Sequence, residues 1–375
     1  MKIEIIQEKF AKALNHINKA ISNRPNIPVL ANVLIETEHA GLKLSSTNLE
    51  IGIVAKIGAE IIDEGKTTVS AKLLSEFVNS LKPGKIIVEL KDQMLSVQSV
   101  DNMADFCVIP ADEFPNVPNS EGKPVLVTNA LEFARSVDKV TFAASTDNSR
   151  PVLTGILTRI TKRNLTLVGV DGFRLSQIVS KLETGPDEDF KENIPARTMQ
   201  EISKIIKDVA TDKADLEIYS LSKNNQVVFK IGDIELVSRL IEGDFPNYED
   251  IIPKDKQYSF NVLKQDFSDG VKIVSIFARN VIGNKTRFLV EPEESKLKLS
   301  AVVVDVGNNE SSIDISAPVG EKLETSFNAK FMQDMLNSID SDEILFESNG
   351  ITAPGVFKDK KNEGYLHIIM PMRLD

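Results

Sequence analysis

The 375-residue chain predicts an α+β fold of three similar domains, each with two helices packed on antiparallel or mixed sheets. Three features of the sequence lead there. Two kinds of helical stretch each recur three times, a hairpin signal recurs between them, and a further strand closes every copy. Two helices among so many strands do not fit the strand–helix–strand alternation of a parallel sheet, so the helices belong on one face of each sheet.

The first helical series is EKFAKALNHINKAIS (8–22), ALEFARSVDKVTFAAS (130–145) and NVLKQDFSDGVKIVSI (261–276). Apolar residues recur at helical spacing, as in Phe10, Leu14, Ile17 and Ile21, or Phe133, Val137 and Val140. Next in each copy comes a pair of alternating β runs around a charged turn. Residues 28–51 match 151–175 with an offset of 123, and 286–305 form a weaker third copy. The second helical series is VSAKLLSEFVNSL (69–81), IPARTMQEISKII (194–206) and FNAKFMQDMLNSI (327–339); each has a small residue followed by Lys or Arg, then an apolar stripe. Strand-like IIVEL, LEIYSL and EILFES follow, and FCVIPADEFPNVP (106–118), LVSRLIEGDFPNY (236–248) and the terminal YLHIIMPMRLD close the copies. The unit of roughly 125 residues is a comfortable domain size, which sets boundaries at 1–119, 123–253 and 254–375. On the repeats alone, the apolar terminal stretch reads as a linker remnant packed on its own domain.

Composition narrows the function. An apolar share of 42% supports a buried core, the start MKIEIIQEKF has no signal-peptide h-region, and no apolar run reaches the roughly 18 residues of a membrane span. Cys107 is the only cysteine, so no internal disulfide forms, which points to a reducing cytoplasm. The net charge is −11, which by itself argues against a nucleic-acid binder. Its distribution argues the other way. The six helical stretches are net basic, with Lys12, Lys72, Arg135, Lys139, Arg197 and Lys204 among their cations, so strands and loops hold the acidic excess. A shared basic helical wall suits a polyanion gripped by its phosphates, against the plainer reading of ordinary solvated helix faces.

No catalytic or metal site assembles. The phosphate-loop, H-E-x-x-H and G-x-S-x-G patterns are missing, and the three histidines are scattered, His16 and His39 far apart in the first copy and His367 in the third. SVDK (136–139) and SLSK (220–223) match a common pattern without its partner motif. VGVDGF (168–173) ends a hairpin and does not open a helix, so it is no phosphate loop. The sequence predicts a non-enzyme without metal or cofactor. Its rivals are an unrecognised active site on a triplicated scaffold and a pure protein scaffold with solvent-facing basic helices.

RLIEGDFPNY (239–248), VDGFRL (170–175), SRPVLTG (149–155) and the terminal MPMRL together resemble the bacterial sliding clamp family, the beta subunit of DNA polymerase III, over the whole chain. The resemblance implies a homodimer of three-domain subunits closed head to tail around duplex DNA, helices inward and sheets outward. Such a ring is a processivity factor. It slides without sequence preference and tethers the polymerase III alpha subunit, the clamp loader and other clamp-motif proteins.

The same resemblance implies the site residues. Partners of the family insert a short motif, Gln followed by an apolar Leu-Phe end, into a pocket between the second and third domains. The matching positions are Leu153, Val170, Gly172, Phe173, Arg174, Leu175, Pro246 and Ile251, with Ile368, Ile369, Met370, Pro371, Met372, Arg373 and Leu374 of the tail; the strip Ala353–Val356 borders them. Phe173 stands where a His is common and Asp250 where an Arg occurs, so partner ranking is expected to differ. Arg24 and Arg150 match loop positions that approach DNA, with capping of their own loops as the competing role, and Lys12, Lys72, Arg197 and Lys204 join them from the helices. Phe106 and Val108 match the first-domain side of the subunit contact and Ile273 the third-domain side.

Overall fold

The computed structural model describes residues 1–21, 27–38, 41–183, 185–186 and 188–373. Among them are six α-helices: α1 (Gln7–Ile17), α2 (Ala71–Ser80), α3 (Ala130–Thr141), α4 (Ala196–Val209), α5 (Lys264–Ala278) and α6 (Ala329–Ser338). Each follows from its apolar stripe. Phe10, Leu14 and Ile17 of α1 are fully buried, as are Met199, Ile202, Ile205 and Ile206 of α4. Burying one such side chain contributes about 1.5–3 kcal/mol, so the stripe fixes which face turns inward.

The helices are shorter than their sequence stretches at identifiable points. α1 gives way to a 3-10 turn at Asn18–Ala20, and Ile21 is already extended. The segment 261–263 belongs to strand Tyr258–Leu263, because alternating Phe260 and Val262 are buried there before α5 begins. At α6 the entry is fixed by Asn328, whose side chain accepts from the Lys330 and Phe331 amides.

The described strands form two ladders, one of 13 and one of 12, and every pairing is antiparallel. The expected "antiparallel or mixed" sheet is therefore purely antiparallel, as hairpin connections allow.

The chain divides into two compact units. The first holds Met1–Ala134 and Gln200–Leu240, the second Arg135–Met199 and Ile241–Asp375. These units do not coincide with the three sequence repeats, and the ladders explain why. In the first unit, Ile234–Arg239 of the middle repeat pairs with Ile51–Gly58 of the first repeat over five positions. In the second unit, Arg174–Lys181 of the middle repeat pairs with Asn362–Ile369 of the third, again over five positions. Each repeat junction is thus sewn into a sheet.

Each junction has its own apolar cluster. In the first unit Val29, Val54, Phe114, Val117, Tyr219, Val228 and Val237 pack together. In the second, Leu157, Val168, Val170, Leu175, Tyr248, Val356 and Ile368 do so, with Phe245, Ile251 and Ile252 against them. The third repeat has a separate stack of rings. Phe346 lies 4.8 Å from Phe260, 5.1 Å from Phe288 and 5.2 Å from Phe357, centroid to centroid.

Candidate functional site

The site grows from the turn Asp171–Gly172–Phe173–Arg174. An aspartate followed by glycine closes tight turns, because its carboxylate accepts backbone amides and glycine takes left-handed angles. Here Asp171 Oδ1 accepts the amides of Phe173 at 2.8 Å and Arg174 at 2.9 Å, and Gly172 has φ +94°. The chain then enters strand Arg174–Lys181. Ladder pairing brings Asn362–Ile369 alongside, and the Met370 amide donates to the Phe173 carbonyl at 2.9 Å. Two residues on, the Met372 amide donates to the Ser326 carbonyl at 2.8 Å. The tail is therefore tied to the fold by directed hydrogen bonds.

These elements gather buried and exposed apolar side chains at the second repeat junction. Leu153, Val170, Leu175, Ile368 and Ile369 are buried, and Val170, Leu175 and Ile368 pack in one cluster with Tyr248 and Val356. Phe173 is 62% and Met370 38% exposed, beside exposed Gly172, Pro246 and Arg373. Ile251, Pro371 and Met372 are half-buried. Fourteen of the expected positions, Arg174 included, lie within the described residues; Leu374 lies outside them. Large exposed apolar side chains beside a packed cluster are suited to gripping an apolar peptide end.

Arg174 differs from its neighbours. Its side chain is 9% exposed and carries no open face. Nε donates to Asp171 Oδ2 at 2.9 Å, Nη1 to Asp334 Oδ2 at 2.6 Å, and Nη2 to the Phe142 carbonyl at 2.6 Å. The guanidinium lies 4.3 Å from the ring centre of Phe331 and 5.5 Å from that of Phe142. Below it, buried His367 packs on Phe142 at 5.4 Å. Burial, and then the Arg174 charge, push His367 down to about 3, so its imidazole stays neutral. Tyr365 is pushed up to about 12 by burial and keeps its proton, sharing hydrogen bonds with Ser338 and Ser176. Asp171, Asp334, Phe331, Phe245 and Tyr248 were not foreseen. The Asp-Gly pair was the available signal for Asp171, whereas Asp334 is 160 residues from Arg174 and nothing local marks it.

The cationic positions divide. Lys72 and Arg197 are exposed. Lys12 is exposed but donates to the Asp208 carbonyl at 3.1 Å, Lys204 pairs with Glu201 at 2.9 Å, and Arg150 lies 3.9 Å from Asp147. Arg24 lies outside the described residues. Lys139, counted among the basic helix residues, is buried and bound to Asp340 at 2.8 Å and to the Ser338 carbonyl, so it adds nothing to a solvent-facing wall.

Phe106 is buried at 6% exposure, edge-on to Phe77 at 5.7 Å, while Val108 is half-buried and Ile273 is 47% exposed. Met103 on the same strand and Leu73 on α2 are 61% and 55% exposed. No group of three or more His, Cys, Asp or Glu among the described residues is placed to hold a metal ion, and no helix is long and apolar enough to cross a membrane.

Antiparallel ladders that join three similar domains, with exposed apolar side chains at one repeat junction, define a protein built on a repeated scaffold. Three family profiles cover the chain: "DNA polymerase III beta subunit, N-terminal domain" matches residues 1–118, the central domain 128–247 and the C-terminal domain 249–373. Among curated proteins, a "Beta sliding clamp" of Synechocystis is 27% identical and that of Bacillus subtilis 26%, each over the full length of both chains. Among solved structures, the Bacillus subtilis sliding clamp superposes with a TM-score of 0.95 at 24% identity and the Thermotoga maritima beta subunit with 0.92 at 25%, both covering 100% of each chain. A Pseudomonas aeruginosa clamp solved with griselimycin scores 0.92 at 23% identity over the same coverage. The chain belongs to the DNA polymerase III beta subunit family, the bacterial sliding clamps. It is a DNA-associated processivity factor and a non-catalytic subunit of the polymerase.

Proposed function

We propose that two copies of this chain close head to tail into a ring around duplex DNA in the cytoplasm, and that a cleft at the second repeat junction tethers partner proteins by short apolar motifs. Domain limits of 1–119, 123–253 and 254–375 belong to this reading. The observation that carries it is the exposure of Phe173 and Met370 beside a buried apolar cluster. Family membership over all three domains supplies the context.

Two open strand edges support the subunit contact. Strand Met103–Ile109 pairs with Met94–Gln98 along one side, and on the other only Val108 and Ile109 find a partner. Strand Gly307–Val319 pairs with Lys296–Val303 over residues 307–314, and its other side is joined only from Ile315 onward. Next to these edges stand exposed apolar residues, Leu73 on α2 for the first and Ile273 and Ile276 on α5 for the second. An unpaired edge is a template for another strand, so an edge from each copy is suited to a heterologous contact that closes after two subunits.

DNA contact by Arg24, Arg150, Lys12, Lys72, Arg197 and Lys204 is proposed on the family resemblance. With several of these cations already beside carboxylates, the attraction is weak and salt-sensitive, which suits sliding. The ring is tested on DNA topology. Loaded protein is expected to stay on closed circular DNA and to leave when the circle is cut. Equal retention on both forms would reduce the binding to ordinary electrostatics.

A further inference from the structure

The floor and rim of the cleft come from the turn, the middle linker and the tail, yet the turn is held from behind by α6. Asp334 and Phe331 of α6 do not line the cleft floor or its rim. They meet Arg174, Asp334 as a carboxylate acceptor at 2.6 Å and Phe331 as a ring 4.3 Å from the guanidinium. Arg174 passes that restraint on. Its Nε holds Asp171 Oδ2, while Asp171 Oδ1 takes the two turn amides, so one carboxylate is both the pivot of the turn and the partner of the arginine. The turn in turn holds the tail, through the Phe173 carbonyl and the Met370 amide. Asp334, Arg174, Asp171, Phe173 and Met370 form one unbroken chain of directed bonds from helix to cleft rim.

We propose that Asp334 and Phe331 are positioning residues for the peptide cleft, acting through Arg174 to keep the Asp171–Arg174 turn and the tail backbone in the shape that accepts a partner motif. The inference rests on the cleft being a peptide site. Its physical basis is that a charge-assisted network in a partly dry environment is rigid when complete and loose when one member is removed. Without Asp334 the guanidinium keeps one carboxylate of two, and Asp171 is free to turn toward it and release the Phe173 amide. Phe173 and Met370, the two most exposed apolar groups of the rim, then lose their fixed separation. Asp334 is also a route for influence from outside. It also lines an open cavity of about 640 Å³ with Arg135, Asp138, Phe142 and Asn337, so whatever occupies that surface bears on the turn through this carboxylate.

The test is a double-mutant cycle on the full chain, read with a fluorescent peptide ending in a Gln-x-x-Leu-Phe motif. Asp334→Asn is expected to raise the Kd about tenfold, mainly through faster dissociation, with the melting temperature little changed and Asp334→Glu restoring most of the affinity. In an Arg174→Ala background, Asp334→Asn is expected to add nothing, because it acts only through the arginine. Phe331→Leu, which removes the ring under the guanidinium but stays apolar, is expected to weaken binding in the same direction but less. Wild-type affinity in Asp334→Asn, or its full penalty persisting without Arg174, would overturn the proposal while leaving the peptide site intact. If the wild-type chain itself fails to bind the peptide, the peptide-site reading falls, and this proposal with it.

Discussion

The two repeat junctions share a backbone plan and differ in the side chains it carries. Counting on by 123 residues, Asn48–Leu49–Glu50–Ile51 of the first corresponds to Asp171–Gly172–Phe173–Arg174 of the second. Asn48 Oδ1 accepts the amides of Glu50 at 3.0 Å and Ile51 at 2.8 Å, as Asp171 Oδ1 does for Phe173 and Arg174. The Glu50 carbonyl accepts the Arg239 amide at 2.9 Å, matching the bond from Met370 to Phe173. Where the second junction has Arg174 in a network of acids, however, the first has Ile51, 4% exposed and held by packing. The rims differ too. The linker side chain Val117 fills the first junction so closely that a Cβ on Gly52 would lie 2.7 Å from it, whereas the second keeps Phe173 and Met370 turned to solvent. One backbone device thus carries a packed isoleucine in one place and a paired arginine beside exposed apolar groups in the other.

Substitutions at the differing position test that contrast with the largest expected effect. Arg174→Ala leaves Asp171 and Asp334 facing each other without their cation, and loss of one member of a buried pair costs about 3–5 kcal/mol. Ile51→Ala is expected to cost about 2–4 kcal/mol as a cavity and to leave peptide affinity unchanged. Urea unfolding gives both stabilities. A comparable loss of peptide binding in the two variants would erase the distinction between the junctions.

Acid separates the junctions next. His16, in the first, is lowered by burial and by Lys19 and Lys12, but Asp208 Oδ2 stands 3.0 Å from its Nε2 and opposes the shift. His367, in the second, has Arg174 and no acid among its causes, and falls from 6.5 to about 3. Its folded pKa is depressed below the unfolded value, so the unfolded chain takes up the proton first. The contribution is complete above pH 6.5 and is lost as pH falls toward 3, at up to about 1.4 kcal/mol per pH unit. His367→Phe is expected to flatten that part of the stability–pH curve; a slope equal to wild type would show that His367 does not govern it.

The smallest effect lies in the turns. Leu49 adopts φ 74° with a full side chain where the second junction has Gly172. Leu49→Gly is expected to raise stability by about 0.5 kcal/mol, the left-handed strain removed slightly outweighing the unfolded-chain entropy that glycine adds. A lower urea midpoint for this variant would reverse the balance.

The repeats were legible because apolar spacing writes both helix and strand period directly into the chain, and the stripe of Met199, Ile202, Ile205 and Ile206 was found by period alone. Element edges were less so. Residues 261–263 read as helix because two apolar positions fit either period, and the ladder to Glu343–Ser348 decides for strand. The motifs marked the turn and the tail that the ladder brings side by side. Lys139 and Phe106 show the limit, since a sequence displays a charge or a ring but not the Asp340 or Phe77 that buries it. Asp334 shows the same limit from the other side: its role is created by a contact across two repeats.

The central claim is that the second junction, completed by the tail, is the peptide site. The most direct measurement is titration of the Gln-x-x-Leu-Phe peptide against the full chain and a version ending at Met370. The account predicts saturable binding in the micromolar range, about 8 kcal/mol at 1 μM, lost on truncation while the fold persists. Equal binding by both versions would contradict it and return the tail to a packed remnant of a linker.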